Sequence, residues 1–396
     1  MSRLGIAVVG AGIGGLTAAL SLAARGHEIT IYERRTGFGE AGAGIQLSPN
    51  ASRVLIDLGL GPVVRRVASE PDRIVVRDLE SGREITAIAL GSSANERFGA
   101  PYWFVARQDL HTALLDAVRG RGNIRLRVGR SLTGLSDTAG RVTLTFEASG
   151  GAADSAEADL VVAADGLWSR ARKSIGDDRD PIPSGFIAYR ATIARNAAPR
   201  EMAGNEGGLW LGRERHVVHY PIGAARHLNV VAVERRAERL AEWSTPTDRA
   251  RVLASFAGAS APIRQLLGAA EEWSAWSLHD LPAKRMRAGR IALLGDAAHP
   301  SLPFLAQGGA LAIEDAAALA GEVGLRPDDV PAALRRYEKL RLRRVRRVQD
   351  GARQNAAAYH AGGLMRLGRN IVMKRLGAER MTERYAWIYG WRAGSA

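Results

Sequence analysis

Six apolar residues, Leu4-Gly5-Ile6-Ala7-Val8-Val9, read as a buried strand. Ile13, Leu16, Leu20 and Ala23 then recur at helical spacing, which predicts a helix over 13–25 that Gly26 stops. Residues 28–32 predict the next strand and complete one βαβ unit. The pattern continues with a helix over 51–60, a hairpin over 73–90 turning at Ser81-Gly82, and an amphipathic helix over 108–119. Strands are expected at 141–147 and 158–163, separated by a mobile Gly/Ala/Ser-rich loop at 148–156. Strand-like runs follow at 186–193, 209–211, 216–222 and 228–233, then a helix over 247–268, a strand at 290–294 and a helix over 309–323. A long basic helix is expected over 331–359 and more helix over 362–396.

The β-rich middle interrupts two α/β stretches. An α/β fold is therefore expected, with a Rossmann-like nucleotide domain assembled from 1–71, 101–180 and 281–330. A mostly antiparallel substrate domain comes from 72–100 and 181–280, and 331–396 forms a C-terminal helical region.

Composition narrows the chemistry. The chain has no cysteine, which excludes disulfides, a thiolate nucleophile and cysteine-bound metal and fits a reducing cytoplasm. No metal site is expected. Eight Trp and eight Tyr suit a core or a pocket for a flat ligand equally well. The net charge of +14 is spread along the chain as scattered arginine without a nucleic-acid motif. It is read as a basic surface that draws in anionic ligands, with no nucleic-acid partner. The uncharged stretch 4–24 has the length of a membrane span, but Gly5, Gly10, Gly12, Gly14 and Gly15 inside it fit a strand, a turn and a helix instead. No integral membrane segment is expected. In the run 342–348, apolar residues recur every third position, which fits a docked helix with a solvated basic face.

The first chemical motif is G-x-G-x-x-G at Gly10, Gly12 and Gly15. The first glycine permits a tight strand-to-helix turn, the second lets the backbone approach a pyrophosphate, and the third lets the helix pack close to the strand. The helix N-terminus offers free N–H groups to phosphate. Glu33, at the end of the next strand, suits ribose hydroxyls and repels a 2′-phosphate, so the bound dinucleotide is FAD or NAD. Two more apolar runs end in acids, at Asp165-Gly166 and Gly295-Asp296. In an open parallel sheet, Glu33, Asp165 and Asp296 would line one edge, where ligands bind. Gly308 and Gly309 open a helix whose N-terminus can stabilise charge on a reduced flavin. His299, beside Pro300, is read as ordering its turn.

Together these residues resemble the single-component FAD aromatic hydroxylases, the salicylate hydroxylase-like group that includes 3-hydroxybenzoate 6-hydroxylase and 6-hydroxynicotinate 3-monooxygenase. The matching pieces are Gly-Ala-Gly-Ile-Gly-Gly over 10–15, Ala-Gly-Ile-Gln-Leu-Ser-Pro-Asn over 43–50, Ala-Asp-Gly over 164–166, Gly-Asp-Ala-Ala-His-Pro over 295–300 and Pro-Phe-Leu-Ala-Gln-Gly-Gly over 303–309. The resemblance implies the para-hydroxybenzoate hydroxylase-like fold. It implies that Gly10, Gly12, Gly14, Gly15, Glu33 and Arg34 hold the ADP half of FAD. Ala43, Gly44 and Ile45 would line the isoalloxazine, with Pro303, Gly308 and Gly309 at its edge. Arg107 matches the family's arginine near the flavin, Asp165 the motif serving FAD and the nicotinamide donor, and Asp296 the ribityl ligand.

The implied activity uses NADH or NADPH and dioxygen to hydroxylate a small aromatic or heteroaromatic acid through a flavin hydroperoxide. A phenol reacts faster once deprotonated, so the site needs a base or relay. On a strand, His216 and Tyr220 share a face and His219 takes the other. His216 is read as assisting deprotonation, and Tyr220 as binding the substrate hydroxyl. Arg190 is the candidate partner for a substrate carboxylate, and Pro303 borders the same pocket. The expected molecule is a monomer or homodimer. The alternatives are a flavoenzyme of the same fold acting on a non-phenolic substrate, an NAD-dependent dehydrogenase and a flavoprotein without turnover. A halogenase is disfavoured because Trp273-Ser-Ala-Trp276 does not match the element such enzymes carry.

Overall fold

The computed structural model describes residues 3–39, 44–138, 140–202, 204–236 and 244–394. Gly5–Val9 sits at the middle of a six-stranded sheet, paired in parallel with Leu160–Ala163 and Glu28–Glu33. Ile291–Leu293 and Ile124–Val128 extend the parallel set on either side, and the short strand Arg287–Ala288 closes one edge antiparallel. Strands covered on both faces read as unbroken apolar runs, and every residue of Leu160–Ala163 and Ile291–Leu293 is buried. Ile124–Val128 escaped the sequence reading because it is an edge strand in which arginines alternate with apolar residues. The helix Ile13–Ala23 packs on Gly308–Leu325.

A second sheet has eight strands. Arg73–Asp78 and Glu84–Ala89 join Glu206–Gly212, Arg215–Ile222, His227–Arg235, Ile182–Ala194, Trp273–Asp280 and Ser244–Thr247. Pairing is antiparallel except between Arg73–Asp78 and Glu206–Gly212. Side-chain alternation gives it two apolar faces. Tyr189, Trp210, Val217 and Val230 meet helices Arg249–Ser255 and Ala261–Gly268 on the outer face. Ala188, Leu209, Leu211 and Val233 meet Phe304 and the helix Val330–Tyr359 on the inner one.

Three expectations change. Residues 148–156 are not a loop throughout: Ala153–Ala158 pairs antiparallel with Arg141–Ala148, which pairs in turn with Arg130–Thr138. Its Ala/Ser/Glu composition gives little strand signal, and pairing with a neighbour imposes the conformation. The helix expected over 247–268 is two, because Asp248 caps the first and Pro262 opens the second. The C-terminal helix Gly363–Glu383 breaks at Gly377, whose φ is 68°. In Val330–Tyr359, Arg343, Arg346 and Arg347 are exposed, but Arg341 is fully buried. Among the described residues, no helix is long and apolar enough to cross a membrane, and no His/Asp/Glu group could hold a metal ion.

Candidate active site

The glycine bend carries one end of a groove. Gly10 has φ +100°, and a Cβ there would lie 2.4 Å from the Ala164 carbonyl oxygen. At Gly15 a Cβ would meet the Gly10 carbonyl at 1.9 Å, and at Gly14 it would meet Leu294 at 2.7 Å. These two therefore serve close packing, on the strand and on the helix Gly308–Leu325. Gly12 differs: nothing lies within 4 Å of the Cβ position, and it is the N-cap of Ile13–Ala23. A Cβ-free approach to unpaired helix N–H groups is what a diphosphate needs. Glu33 ends the second strand. Its Oε2 accepts from the Ala11 N–H at 2.8 Å and its Oε1 from Arg35 at 2.9 Å, so the carboxylate is held at the bend. A cavity of about 780 Å³ runs from here, lined by Gly10, Gly12, Glu33, Arg34, His111 and Asp165 among others. These residues fit the diphosphate and ribose of an adenine dinucleotide.

Asp165 lines the groove but directs both carboxylate oxygens into protein. It accepts from Ser169 Oγ at 2.6 Å and from the N–H groups of Arg170 and Ala171 at 2.8 and 3.1 Å. Burial pushes its carboxyl up, against those bonds. The sequence reading missed His111, which is buried and whose Nε2 lies 2.7 Å from the Ala11 carbonyl oxygen, bracing the bend from the helix Arg107–Arg119.

Tertiary structure also brings together the residues expected at the ring end. Asp296 follows the strand Ile291–Leu293; it is exposed, yet the protein around its carboxyl pushes it up while His299 and Arg107 pull it down. Arg107 feels the charges of both Asp296 and Arg190. Arg190 in turn lies near enough to Tyr220 to lower the phenol, although burial dominates and raises it. Gly44 sits against Tyr220, where a Cβ would lie 2.6 Å from Cε2, and donates its N–H to Asn229 at 2.7 Å. Ile45 presses on Gly309 at the start of Gly308–Leu325. Gly308 and Gly309 are half-buried and Pro303 is exposed. Ala43 lies outside the described residues.

A buried polar network fixes this end. Gln307 donates to Ser48 Oγ at 2.9 Å, Ser48 donates to Asn50, and Asn50 reaches both Gln307 and Glu314. Glu314 pairs with Arg341 and Arg344, and Asp315 pairs with Arg341 and His299. His299 thus orders its turn through Asp315, which also accepts from the Gly295 N–H at 3.0 Å. This is a physical reason for the spacing of residues 43–50 and 303–309.

On the inner sheet face, His216 and Tyr220 point together, His216 beside Phe304 and Tyr220 against Phe104 at 4.7 Å. His219 faces the outer layer and Trp210. His216 is buried, with its Nδ1 2.9 Å from Nε2 of His360.

The family of FAD binding domain proteins matches residues 3–352. The chain belongs to that family. It is 40% identical over 396 residues to the 3-amino-4-hydroxybenzoate 2-monooxygenase PtmB3 of Streptomyces platensis, covering 99% of this chain and 97% of that protein. It is 33% identical over 394 residues to the 3-hydroxybenzoate 6-hydroxylase of Polaromonas naphthalenivorans, with 99% and 97% covered. Among solved structures, Klebsiella pneumoniae HpxO complexed with FAD and uric acid superposes with a TM-score of 0.84 at 29% identity, covering 96% of this chain and 95% of that one. The enzyme is an FAD-dependent aromatic-ring monooxygenase that draws electrons from NADH or NADPH.

Proposed function

We propose that the enzyme hydroxylates a small phenolic aromatic or heteroaromatic acid held between Arg190 and Tyr220. The carrying observation is Arg190. Its guanidinium is enclosed by protein, which depresses its pKa; it stacks on Trp276 at 4.6 Å and leaves Nε without a hydrogen-bond partner. No carboxylate pairs with it among the described residues. An enclosed, unpaired cation costs several kcal/mol, and a bound carboxylate relieves that cost. The two curated relatives above are named for phenolic carboxylates.

Bound FAD would take a hydride from the nicotinamide donor and activate dioxygen for transfer of one oxygen atom to the ring. Gly10 and Gly12 would hold its diphosphate, Glu33 and Arg34 its adenosine side, and Asp296 and Arg107 the chain leading to the ring. Ile45, Pro303 and the N–H groups of Gly308 and Gly309 would border the ring itself. His216 would take the proton of the substrate hydroxyl, which Tyr220 hydrogen-bonds. The phenol of Tyr220 makes no hydrogen bond among the described residues and, with its pKa raised, stays protonated as a donor. The chain divisions at 71, 100, 180, 280 and 330, a cytoplasmic site and a monomer or homodimer complete the proposal.

A panel of hydroxylated aromatic and heteroaromatic acids, each with its carboxamide, tests it. Loss of NADH is measured together with hydroxylated product. The acids are expected to exceed their carboxamides about 100-fold in kcat/KM. Equal turnover of both would end the reading.

A further inference from the structure

Two histidines far apart in sequence meet beneath the inner face of the antiparallel sheet. His216 Nδ1 lies 2.9 Å from His360 Nε2, and His360 Nδ1 lies 2.7 Å from the Ala356 carbonyl oxygen. Aromatic rings enclose the pair, with Phe304 and Tyr359 beside His216 and Phe186 stacked on His360 at 4.6 Å.

The geometry fixes where the hydrogens are. A carbonyl oxygen only accepts, so His360 Nδ1 carries a hydrogen. Burial holds the His360 pKa at about 4, so near neutral pH the ring is uncharged and its Nε2 is a bare lone pair. His216 Nδ1 must then be the donor across the pair. Burial and the neighbouring His360 keep His216 neutral as well, so its single ring hydrogen sits on Nδ1. Its Nε2 is left as an acceptor, with no hydrogen bond among the described residues. A base requires that state.

We propose that His360 is a positioning residue for His216, fixing the tautomer that leaves Nε2 free and receiving the proton that His216 passes on. This rests on the reading of His216 as the base. In the transfer, the substrate O–H bond breaks as His216 Nε2–H forms. His216 Nδ1–H then breaks as His360 Nε2–H forms. A phenolate and a His360 imidazolium result, and His216 ends neutral in the other tautomer. The groups facing His360 are Glu214, which favours the imidazolium, and Arg235 and Arg369, which oppose it; Tyr359 lies beside His216. Glu214 is exposed and donates its N–H to the His360 carbonyl at 3.1 Å, which ties the end of the helix Val330–Tyr359 to the strand Arg215–Ile222.

Nitrogen-15 NMR of histidine-labelled holoenzyme reads the tautomer without turnover. The His216 signals, identified by their loss in His216→Gln, are expected to show a protonated Nδ1 and a bare Nε2. His360→Leu removes the acceptor and should return His216 to the Nε2–H form. His360→Gln offers an amide oxygen to Nδ1–H but cannot carry the proton onward, so it should keep the tautomer yet lower kcat for hydroxylation by about 100-fold with KM little changed. Rates are measured with 3-hydroxybenzoate or 3-amino-4-hydroxybenzoate, whichever turns over faster. Hydrogen on Nε2 in the unaltered enzyme, or a His360→Gln rate equal to it, overturns the proposal. Full activity in His216→Gln instead removes His216 as the base, a separate result.

Discussion

The diphosphate end of the site and its expected ring end are built in opposite ways. At the diphosphate end, Gly10, Gly12 and Gly15 shape the backbone within one short βαβ unit, and the useful feature is the absence of side chains. At the ring end, Arg107, Arg190, Tyr220 and Asp296 come from four separate segments, and their charges act on one another only once those segments have packed together. A backbone site has few ways to change without losing the fold. A side-chain site can lose chemistry and keep the fold.

The largest expected effect tests the first half of that contrast. Gly15→Val should give no folded, flavin-bearing protein, because its Cβ meets a backbone carbonyl that cannot yield, beyond the usual overpacking cost of about 3 kcal/mol. Gly12→Asp points into open space, so the melting temperature of its apoprotein should match that of the unaltered apoprotein. Its carboxylate would oppose the diphosphate and weaken FAD binding at least about tenfold, measured by fluorescence titration. Equal loss of folding in both variants would erase the distinction between Gly12 and Gly15.

Behind the ring end, Arg341→Met leaves Glu314 and Asp315 buried without their shared cation. Urea unfolding should show a loss of about 3–5 kcal/mol. Arg190→Met sharpens the comparison from the other side: it removes a cation from the pocket wall rather than from the floor. KM for the acid substrate should rise about 100-fold, while the melting temperature without substrate should rise, because the enclosed unpaired cation is gone. A fall in kcat with unchanged KM would assign Arg190 another task.

The smallest effect depends on pH. Burial raises the Asp315 carboxyl, but His299 and Arg341 outweigh it and hold the pKa at about 2, below its ordinary 3.8. A depressed acid stabilises the fold above its unfolded value and loses that contribution as pH falls through the folded one. About 2 kcal/mol should therefore vanish between about pH 5 and about pH 2, read from urea midpoints. In Asp315→Asn that part of the slope should disappear.

Much of the first end was legible because its information is local. A turn with φ +100° at Gly10 and close packing at Gly15 demand glycine at fixed spacing, and spacing is visible in one dimension. Glu33 was legible for the same reason, as the end of an adjacent strand. Asp165 was legible only in part: its place at a strand end was readable, but the use of both its oxygens to cap the turn at Ser169–Ala171 depends on where Arg170 and Ala171 point. On the middle sheet, alternation sorted His216 and Tyr220 from His219, since pleating fixes which side chains share a face. The strand Ala153–Ala158 and the split at Ser260-Ala261-Pro262 were not readable from periodicity, because pairing and local capping decided them.

By itself the sequence determined the glycine bend, the apolar strands of the parallel sheet, the acids at their ends and the two faces of the strand bearing His216. Those follow from backbone sterics and from periods of two and 3.6 residues, which need no distant partner. Tertiary structure alone decided that His360 would meet His216, that Arg190 would lie on Trp276 with no carboxylate beside it among the described residues, and that Arg341 would be buried between two acids. Such contacts join residues far apart in the chain. Their energies arise from removing charges and ring nitrogens from water, which happens only once the layers have packed.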